Sequence, residues 1–570
     1  MKTVRRIALI GAVVLAAALL WRWVRGPERV LYRGGPILTM DANNRVVGAV
    51  AVEGDRIVAV GSDADVRPWM SGGTRIVDLH GRALLPGFID AHSHFPLAGL
   101  PAVMADLTSP PVGTVGSIAG VLERLTAQAQ RTRSGRWIVG IGYDDTLLQE
   151  RRHPTRAELD RVAGDRPVVV FHVSGHLAAV NSAALKRLGY TAKTPDPAGG
   201  RIQRDPATNE PTGVLEESAL LPLQPQVTQL PTLDVLKVVR RASELYVRAG
   251  VTTGQDGAAS ARELRGLPWF SRLGIVPMRL VLWPTAEALD GRERAGNGAR
   301  AGDSVWTRTG AVKLFSDGSI QGFTAYLTSP YYTLPEGKPA GYRGYPRVTT
   351  EALTQQIDRY HAMGLQIAVH GNGDAAIDDI LAGFAAAQRA HPRPDARHVV
   401  VHAQMTRPDQ LDAMKTLGVI PSFFSLHTYY WGDRHREIFL GPERAARISP
   451  TRSALERGLR FTLHADTPVT PMEPLRMVWA TVNRRSTSGA VIGKAERIDP
   501  MHALRAVTID AAYQHFQEQA KGSLEPGKLA DLVILDRNPL DDPEHIDQMR
   551  VVQTIVGGRT VYESGDAGKI

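Results

Sequence analysis

The most informative part of this sequence is residues 84–94, Leu84-Leu85-Pro86-Gly87-Phe88-Ile89-Asp90-Ala91-His92-Ser93-His94. An apolar run that ends in His-x-His predicts a buried strand with two imidazoles at its C-terminal end. Strand side chains alternate between faces, so His92 and His94 point the same way. Two imidazoles on one side of a strand end are a ready pair of metal ligands. Because such pairs also occur by chance, the prediction depends on further ligands at matching positions.

The composition restricts which ligands are available. The 570 residues are 43% hydrophobic and include no cysteine. The length predicts roughly two to four domains, or one large barrel with additions. Lack of cysteine excludes disulfides and thiolate-bound zinc, so any metal must be held by histidine, carboxylates or a modified lysine.

The net charge of +9 raises the question of nucleic-acid binding. Residues 1–29 hold six basic residues against Glu28, and the remainder of the chain has no Lys/Arg block with interleaved aromatic residues. A nucleic-acid-binding protein usually shows such a block. We therefore expect no nucleic-acid partner.

The N-terminal residues 1–26 predict a membrane anchor or a signal segment. Basic residues precede the apolar run Ile7–Trp21, which is short for a spanning helix of about 17–25 residues but suffices if Arg22 reaches the interface. Ala16-Ala17-Ala18 offers a rival cleavage site, and a core helix of a cytoplasmic enzyme is a third interpretation. We expect an inner-membrane signal anchor with the catalytic body in the periplasm, with secretion after cleavage as the alternative.

Strand patterns at both chain ends predict a composite β domain. Residues 30–41, 49–61 and 74–79 at one end, and 530–536 and 551–562 at the other, consist of short apolar runs separated by turn-like residues. We expect residues 27–86 and 520–570 to form one small β-sandwich domain.

Between these ends, strand and helix patterns alternate, which predicts an α/β fold with a (β/α)8 TIM-like barrel over residues 87–519. Helical patterns at Leu233–Ala249 and Glu351–Met363 each end at a glycine. The interval 95–250 is too long for one barrel connection and holds further strand patterns, so we expect an inserted α/β lobe there. The candidate barrel strands are Leu84–Asp90, Val251–Asp256, Met278–Trp283, Ala311–Phe315, Gln366–His370, His398–His402, Ile420–Ser425 and Arg460–His464.

Polar residues with ligand chemistry recur at the ends of these strands, where barrel active sites form. Taken singly, each has an ordinary explanation: a strand-end histidine is often a hydrogen-bonded core residue, Lys313 could belong to an ion pair, and Asp466 could cap a helix. Their occurrence together on five strands predicts a metal site. The candidate ligands are His92, His94, Lys313, His370, His402 and Asp466.

The pattern resembles the metal-dependent amidohydrolase superfamily, and within it the amidohydrolase-3 branch that includes N-substituted formamide deformylases. The motifs extend over nearly the whole chain beyond the N-terminal segment, and they are specific for the branch rather than for a substrate. They are Pro86–His94, Ser174-Gly175-His176 with Asn181-Ser182, Lys313–Ser319, His370–Asp374, His402-Ala403-Gln404, His464–Val469 and Gly522–Leu532.

The resemblance implies one or two divalent metal ions, with zinc expected. His92, His94 and Asp466 would bind the first ion, and His370 and His402 would bind the second. Lys313 would bridge both as an N-carboxylated lysine, since nearby cations disfavour the ammonium form and the neutral amine can capture carbon dioxide. Without that modification Lys313 would be a poor ligand, and a single-metal site would be expected.

A mechanism follows from this ligand set. A metal held there would lower the pKa of a bound water toward neutrality. Asp466 would orient that water, accept its proton and deliver it to the leaving amine. A second metal or a nearby histidine would polarise the carbonyl. His176 is the candidate catalytic residue on the substrate side, with a structural rim histidine as the alternative.

Asp317, His427 and Tyr429 are further candidates for substrate binding. Asp317 is expected to orient ligands or loops, and Asp374 to act in the same way. His427 and Tyr429 follow the seventh strand, where they would line a substrate pocket or belong to a packed aromatic loop.

We therefore expect a metal-dependent amidohydrolase that cleaves a non-peptide C–N amide-type bond of a small molecule. The first alternative is hydrolysis of an ester, lactone or carbamate at the same site, and the second is an inactive binding protein of the same fold. The expected partners are the substrate, the membrane and, from the resemblance, a second copy of the chain. Substrate identity depends on loops, which vary independently of the fold.

Overall fold

The computed structural model describes residues 28–227, 229–294, 303–335 and 337–565. In these residues the parallel strands of the middle of the chain form two arcs, with strand orders β15-β14-β13-β6 and β16-β17-β18-β19-β20 in chain-order numbering. Their bounds are β6 (Phe88–Ile89), β13 (Val251–Ala259), β14 (Arg279–Pro284), β15 (Thr307–Thr309), β16 (Val312–Phe315), β17 (Ile367–Gly371), β18 (Val399–His402), β19 (Ile420–Phe423) and β20 (Thr462–Leu463).

The two arcs meet on both sides. Thr285 and Lys313 form a parallel bridge between β14 and β16. On the other side, the amide of His94 donates to the Thr467 carbonyl at 2.8 Å, and the amide of Asp466 donates to the His92 carbonyl at 3.2 Å. The chain thus has a TIM-barrel-like α/β fold, as the alternating pattern predicted.

Helices connect the barrel strands. The predicted helices Leu233–Ala249 and Glu351–Met363 are confirmed with a shift of one residue. Gly250 ends the first at a φ of +85°, and a Cβ there would lie 2.8 Å from Phe88 and 2.9 Å from Val533, so glycine is required at this junction. The helices are Thr232–Arg248, Ala261–Arg272, Ala286–Arg294, Thr350–Ala362, Asp374–Ala390, Pro408–Leu417, Leu426–Tyr430, Gly432–Arg434, Pro442–Ala445, Thr451–Glu456, Pro474–Asn483, Pro500–Ala506 and Ile509–Gln514.

Strands from both ends of the described chain share one sheet. β21 runs antiparallel to β5, with Leu532 opposite Pro86. Val50, Ile57 and Ile555 belong to the buried apolar cluster of this sheet. The strands are β1 (Arg29–Leu38), β2 (Val46–Glu53), β3 (Arg56–Gly61), β4 (Arg75–Asp78), β5 (Ala83–Pro86), β21 (Leu532–Leu535), β22 (Val551–Val556) and β23 (Arg559–Glu563).

The predicted single strand Leu84–Asp90 is divided in the structure. Its first half is β5 of the end sheet, and its second half is β6 of the barrel. Gly87 lies at the division, where its amide donates to the Asp531 carbonyl at 2.9 Å and a Cβ would come 2.1 Å from Thr252. The run was long and apolar because both halves are buried, although in different sheets.

A third sheet lies in the sequence between β6 and β13. Two of its strands, β8 and β9, account for strand patterns of the interval 95–250. Asp144, directly after β8, accepts hydrogen bonds from Trp431 Nε1 at 3.0 Å and from Arg434 Nη1 at 2.8 Å, which connects this sheet to the loop after β19. The strands are β7 (Ala105–Asp106), β8 (Ile138–Tyr143), β9 (Val168–His172), β10 (Leu177–Val180), β11 (Gly200–Arg204) and β12 (Pro211–Glu217).

The predicted membrane attachment is corrected by the structure. Within the described part of the chain, no helix has the length and apolar character needed to cross a membrane. The residues that prompted the prediction, 1–26, lie outside the described residues. Their apolar run Ile7–Trp21 is also shorter than the about 17–25 residues of a spanning helix. The signal anchor, the membrane partner and the inner-membrane location are therefore withdrawn.

One buried ion pair connects the barrel to the end sheet. Arg279 at the start of β14 donates through Nε to Asp531 Oδ2 at 2.7 Å and through Nη2 to Asp531 Oδ1 at 3.0 Å. Both side chains are only 3% exposed. The amide of Gly557 also donates to Asp531 Oδ1, at 2.8 Å. This carboxylate therefore holds two layers of the molecule together.

Replacing Asp531 with asparagine is expected to lower the free energy of unfolding by about 3–5 kcal/mol, because Arg279 would remain as a buried charge without its partner. Urea denaturation followed by circular dichroism measures the loss. The matched control is Asp290→Asn, which removes the carboxylate paired with Arg359, a side chain 54% exposed. Since exposed pairs contribute little, a similar loss in both variants would contradict the prediction.

Candidate metal centre

Two strand ends on either side of the barrel junction bring three ligand groups together. His92 and His94 follow β6, and Asp466 follows β20. His92 Nε2 and His94 Nε2 each lie 3.4 Å from Asp466 Oδ1. One ligand atom from each residue lies within 4.8 Å of the other two, so the three could hold one metal ion. Two imidazoles and a carboxylate are a common donor set for divalent metals.

The polar atoms of this cluster are poorly satisfied by the protein itself. His92 Nδ1 and Asp466 Oδ1 are buried and have no hydrogen-bond partner among the described residues. Buried polar atoms normally have a partner, and exceptions mark ions or functional sites. Burial alone would raise the pKa of Asp466, but its contact with His94 and the nearby His464 and Lys313 side chains outweigh burial and lower that pKa. The carboxylate is therefore ionised and ready to bind a cation, so the residues fit a metal.

Lys313 lies beside the cluster, in the interior of β16. Its Nζ donates to His92 Nε2 at 3.1 Å, and the side chain is 2% exposed. No carboxylate of the described residues lies within ion-pair distance of this amine. Burial lowers the pKa of Lys313 to about 7, although Asp466 opposes this effect. The lysine is thus a buried amine without a countercharge, next to three metal-ligand groups.

A line of histidines continues from the cluster. His370 Nδ1 lies 3.0 Å from His402 Nε2, and His402 Nδ1 lies 3.1 Å from His464 Nε2. His464 Nδ1 is in turn 2.9 Å from the Ser422 hydroxyl. Burial lowers the pKa of all three histidines. They are therefore neutral, which is the form that binds metals.

The predicted ligands share one cavity of about 1940 Å³, which opens at the C-terminal ends of the barrel strands. His464, by contrast, is fully buried behind His402 and is not part of the lining. It therefore holds His402 in place rather than facing the cavity. The six lining residues that the sequence predicted are His92, His94, Lys313, His370, His402 and Asp466.

His176 also lines the cavity, and it has a partner that sequence reasoning missed. His176 Nδ1 donates to Glu217 Oε2 at 2.9 Å, and its ring centroid lies 4.9 Å from that of His370. Glu217 ends β12 at a φ of +49°, an unusual conformation for a residue with a side chain. The only signal in the sequence was the acidic pair Glu216-Glu217 after the apolar pair Val214-Leu215.

The predicted residues Asp317, His427 and Tyr429 have other positions in the structure than the metal-ligand groups. The Asp317 carboxylate is buried and accepts the amides of Tyr326, Asn372 and Gly373 at 2.8–3.0 Å, so it orders the loops after β16 and β17. Burial raises its pKa to about 8. His427 and Tyr429 are not among the described residues that line the cavity.

The packed aromatic loop, the alternative left open for His427 and Tyr429, fits their contacts. The His427 ring packs against Phe424 at 4.1 Å and Trp431 at 5.7 Å. The Tyr429 ring packs edge-on against Trp479 at 5.6 Å, with the Arg476 guanidinium 4.9 Å from it. Both side chains stabilise the loop after β19 and do not reach the cavity.

Comparison with known proteins agrees with this site. The model of the Amidohydrolase family, of the amidohydrolase-3 type, matches residues 75–562. The N-substituted formamide deformylase of Arthrobacter pascens is 28% identical over 92% of this chain and 97% of its own. The protein LONG AFTER FAR-RED 3 of Arabidopsis thaliana is 30% identical over 94% of this chain and 91% of its own.

A solved structure has a similar overall fold. An uncharacterized metal-dependent hydrolase from Pyrococcus horikoshii OT3 superposes with a TM-score of 0.71 at 28% identity, covering 91% of this chain and 99% of its own. The family match, the similar solved structure and the group of metal-binding residues all indicate an enzyme that uses a divalent metal ion. This chain belongs to the amidohydrolase-3 branch of the amidohydrolase family and is a metal-dependent hydrolase that acts on carbon–nitrogen bonds.

Proposed function

We propose that this enzyme hydrolyses the amide-type C–N bond of small N-acyl or N-formyl amines and not of peptides. The observation that carries the proposal is the cluster of His92, His94 and Asp466 at the mouth of the barrel, with the Lys313 amine 3.1 Å from His92 Nε2. The relative from Arthrobacter pascens is named for deformylation of N-substituted formamides. That name supports the substrate class.

The donor set supports the binding of one or two divalent metal ions, and we propose that the metal is zinc. His92, His94 and Asp466 would hold the first ion, and His370 and His402 would hold the second. Lys313 would lie between the two groups as an N-carboxylated lysine. When bound, a divalent ion supplies Lewis acidity, which lowers the pKa of water and polarises a carbonyl group.

The side chains of this chain carry the proton transfers. The ionised Asp466 carboxylate accepts the proton of the attacking water and returns it to the leaving amine. His176 binds the substrate from the side of the cavity opposite Asp466. Its hydrogen bond to Glu217 fixes the ring and leaves Nε2 as the nitrogen available to the substrate.

We also propose how the chain is divided into domains. Residues 27–86 and 520–570 would form the composite β-sandwich domain, and residues 87–519 the barrel. The interval 95–250 would be an inserted lobe whose strands deliver His176 and Glu217 to the cavity, while the Asp144 contacts with Trp431 and Arg434 hold it at the mouth. Loops of this kind determine substrate choice on a common barrel.

A hydrolysis screen combined with metal analysis tests the proposed function. The purified chain is expected to contain at least one divalent ion per molecule by mass spectrometry of the metals and to hydrolyse N-formyl or N-acyl amines. Chelation should abolish that activity, and added zinc should restore it. Matched esters with the same acyl and alkyl groups serve as controls. Hydrolysis of the esters without the amides would favour an esterase, and bound metal without any hydrolysis would favour a binding protein.

A further inference from the structure

We propose that Arg347 binds a carboxylate of the substrate, so that the site selects amides that carry a negative charge near the scissile bond. The inference rests on the proposed amide hydrolysis and names its substrate class more narrowly. It follows from the position of Arg347 in the cavity, from its free hydrogen-bond donors and from its distance to the metal-site residues.

The backbone holds Arg347 in a fixed place on the cavity wall. Its amide donates to the Ser316 carbonyl at 2.7 Å, just after β16. Its own carbonyl packs against Gly199, where a Cβ would come within 2.1 Å of the oxygen. Gly199 has a φ of +69°, so the position suits glycine for two reasons. The arginine is therefore clamped between the barrel and the sheet that contains His176.

The guanidinium is held in the cavity without the partners that a sheltered arginine usually has. Its side chain is 19% exposed and lines the cavity, yet it donates no hydrogen bond to any described residue. Its closest carboxylate oxygen is Glu217 Oε2 at 3.8 Å, and that oxygen already accepts from His176. By contrast, the buried Arg484 donates to the carbonyls of Ile448, Ser449 and Ile492.

An arginine with unused donors in a binding cavity is suited to one type of ligand. Guanidinium offers five N–H groups in a planar fork that matches a carboxylate in bidentate geometry. The fork is already ordered, because Cζ lies 4.7 Å from the centroid of the Phe315 ring. Because the guanidinium is ordered before the ligand binds, less conformational entropy is lost on binding.

The same aromatic ring places the guanidinium at the metal centre. Lys313 Nζ lies 5.2 Å from the Phe315 centroid, and the His370 ring lies 5.8 Å from it. Arg347 is thus separated from the metal-site lysine by the width of one side chain. A substrate with its amide at the metal ligands would meet Arg347 with a group only a few bonds away.

Matched substrate pairs test the proposal on the full-length, metal-loaded enzyme. The first pair is N-formyl-phenylalanine and N-formyl-2-phenylethylamine, which differ in a carboxylate on the amine side. The second is N-succinyl-2-phenylethylamine and N-butyryl-2-phenylethylamine, which differ on the acyl side. We expect at least one charged member to be preferred in kcat/KM. Arg347→Gln should lower kcat/KM for that member by about 10- to 100-fold and leave its neutral partner within about twofold, since charge-assisted hydrogen bonds are of this strength.

Two further variants separate binding from general damage. Arg347→Lys keeps the charge but loses the fork and should fall between wild type and Arg347→Gln. Arg343→Gln removes an exposed arginine of the same loop, which stacks on Tyr326 outside the cavity lining, and should change neither member of a pair. Equal use of charged and neutral substrates by the wild type, or an equal loss for both members in Arg347→Gln, would overturn the proposal.

A binding measurement keeps the test independent of turnover. N-methanesulfonyl-phenylalanine and N-methanesulfonyl-2-phenylethylamine cannot be cleaved as amides, and calorimetry gives their affinities. We expect the carboxylate-bearing compound to bind at least about tenfold more tightly to the wild type, and this difference to vanish in Arg347→Gln. If no amide is hydrolysed but this difference is present, the proposed reaction fails while the assignment of Arg347 stands. Equal affinities would overturn the assignment.

Discussion

Replacing Asp466 with asparagine is expected to lower kcat by about 10³-fold while the protein stays folded, since a positioned general base contributes about 10²–10⁴-fold. The carboxylate is the only acidic group of the described residues that lies within 4 Å of both His92 and His94. It has no hydrogen-bond partner at Oδ1 that would compete for a proton. Asparagine keeps the shape and a ligand oxygen but cannot accept a proton.

The measurement is steady-state hydrolysis of the best amide from the screen, with metal content determined on the same sample. We expect His92 and His94 to retain metal in the variant, so that activity falls much further than metal content. Asp290→Asn, at the exposed pair with Arg359, serves as the control and should match the wild type. An Asp466→Asn enzyme with unchanged kcat would exclude the proposed proton transfer.

The local pattern of the sequence was sufficient for the barrel and for the six candidate ligands that line its cavity. Buried parallel strands are almost continuously apolar, so a polar residue at the end of such a run is conspicuous. His370 and His402 each directly follow three apolar residues, and barrel closure brings these strand ends together regardless of the loops. This is why the six lining residues could be predicted without knowledge of their contacts.

Contacts between distant segments could not be predicted in the same way. Glu217 and Arg347 occur in stretches whose polarity is ordinary, and only the folded chain brings Glu217 within 2.9 Å of His176. For His427 and Tyr429, the position after the seventh strand allowed either a substrate pocket or a packed aromatic loop, and the sequence could not decide between them. Their contacts fit the aromatic loop, because the His427 ring packs against Phe424 and the Tyr429 ring packs against Trp479.

The apolar run at the N-terminus shows what hydrophobicity alone cannot decide. Ile7–Trp21 is as apolar as a membrane span but shorter, and it has no periodicity that distinguishes membrane from protein core. The division of Leu84–Asp90 has a related cause. A run of buried residues does not reveal which sheet buries them, and only the pairing of Pro86 with Leu532 and of Phe88 with Val251 assigns each half.

Replacing Lys313 with methionine is expected to lower kcat/KM by at least about 100-fold, because even indirect support of a metal ligand contributes about 10–100-fold. Methionine fills a similar volume without an amine. The wild-type Nζ is buried, contacts His92 Nε2 at 3.1 Å and has no carboxylate partner among the described residues. A buried ammonium without a countercharge is costly, whereas a lysine that captures carbon dioxide becomes an anion suited to bridge two cations.

The matched control is Lys521→Met, since Lys521 is equally buried, at 2% exposure, but donates to Thr253 Oγ1 at 2.9 Å outside the cavity lining. Removal of Lys521 should change stability but not metal content, whereas removal of Lys313 should reduce the bound metal to one ion or fewer. Lys313→Glu, which supplies a carboxylate in place of a carbamate, should retain more metal than Lys313→Met. The mass of the native wild type should exceed its sequence mass by one carbon dioxide, which acid releases. Full metal content and activity in Lys313→Met would show instead that the amine is a spectator and that His92, His94 and Asp466 hold a single ion without it.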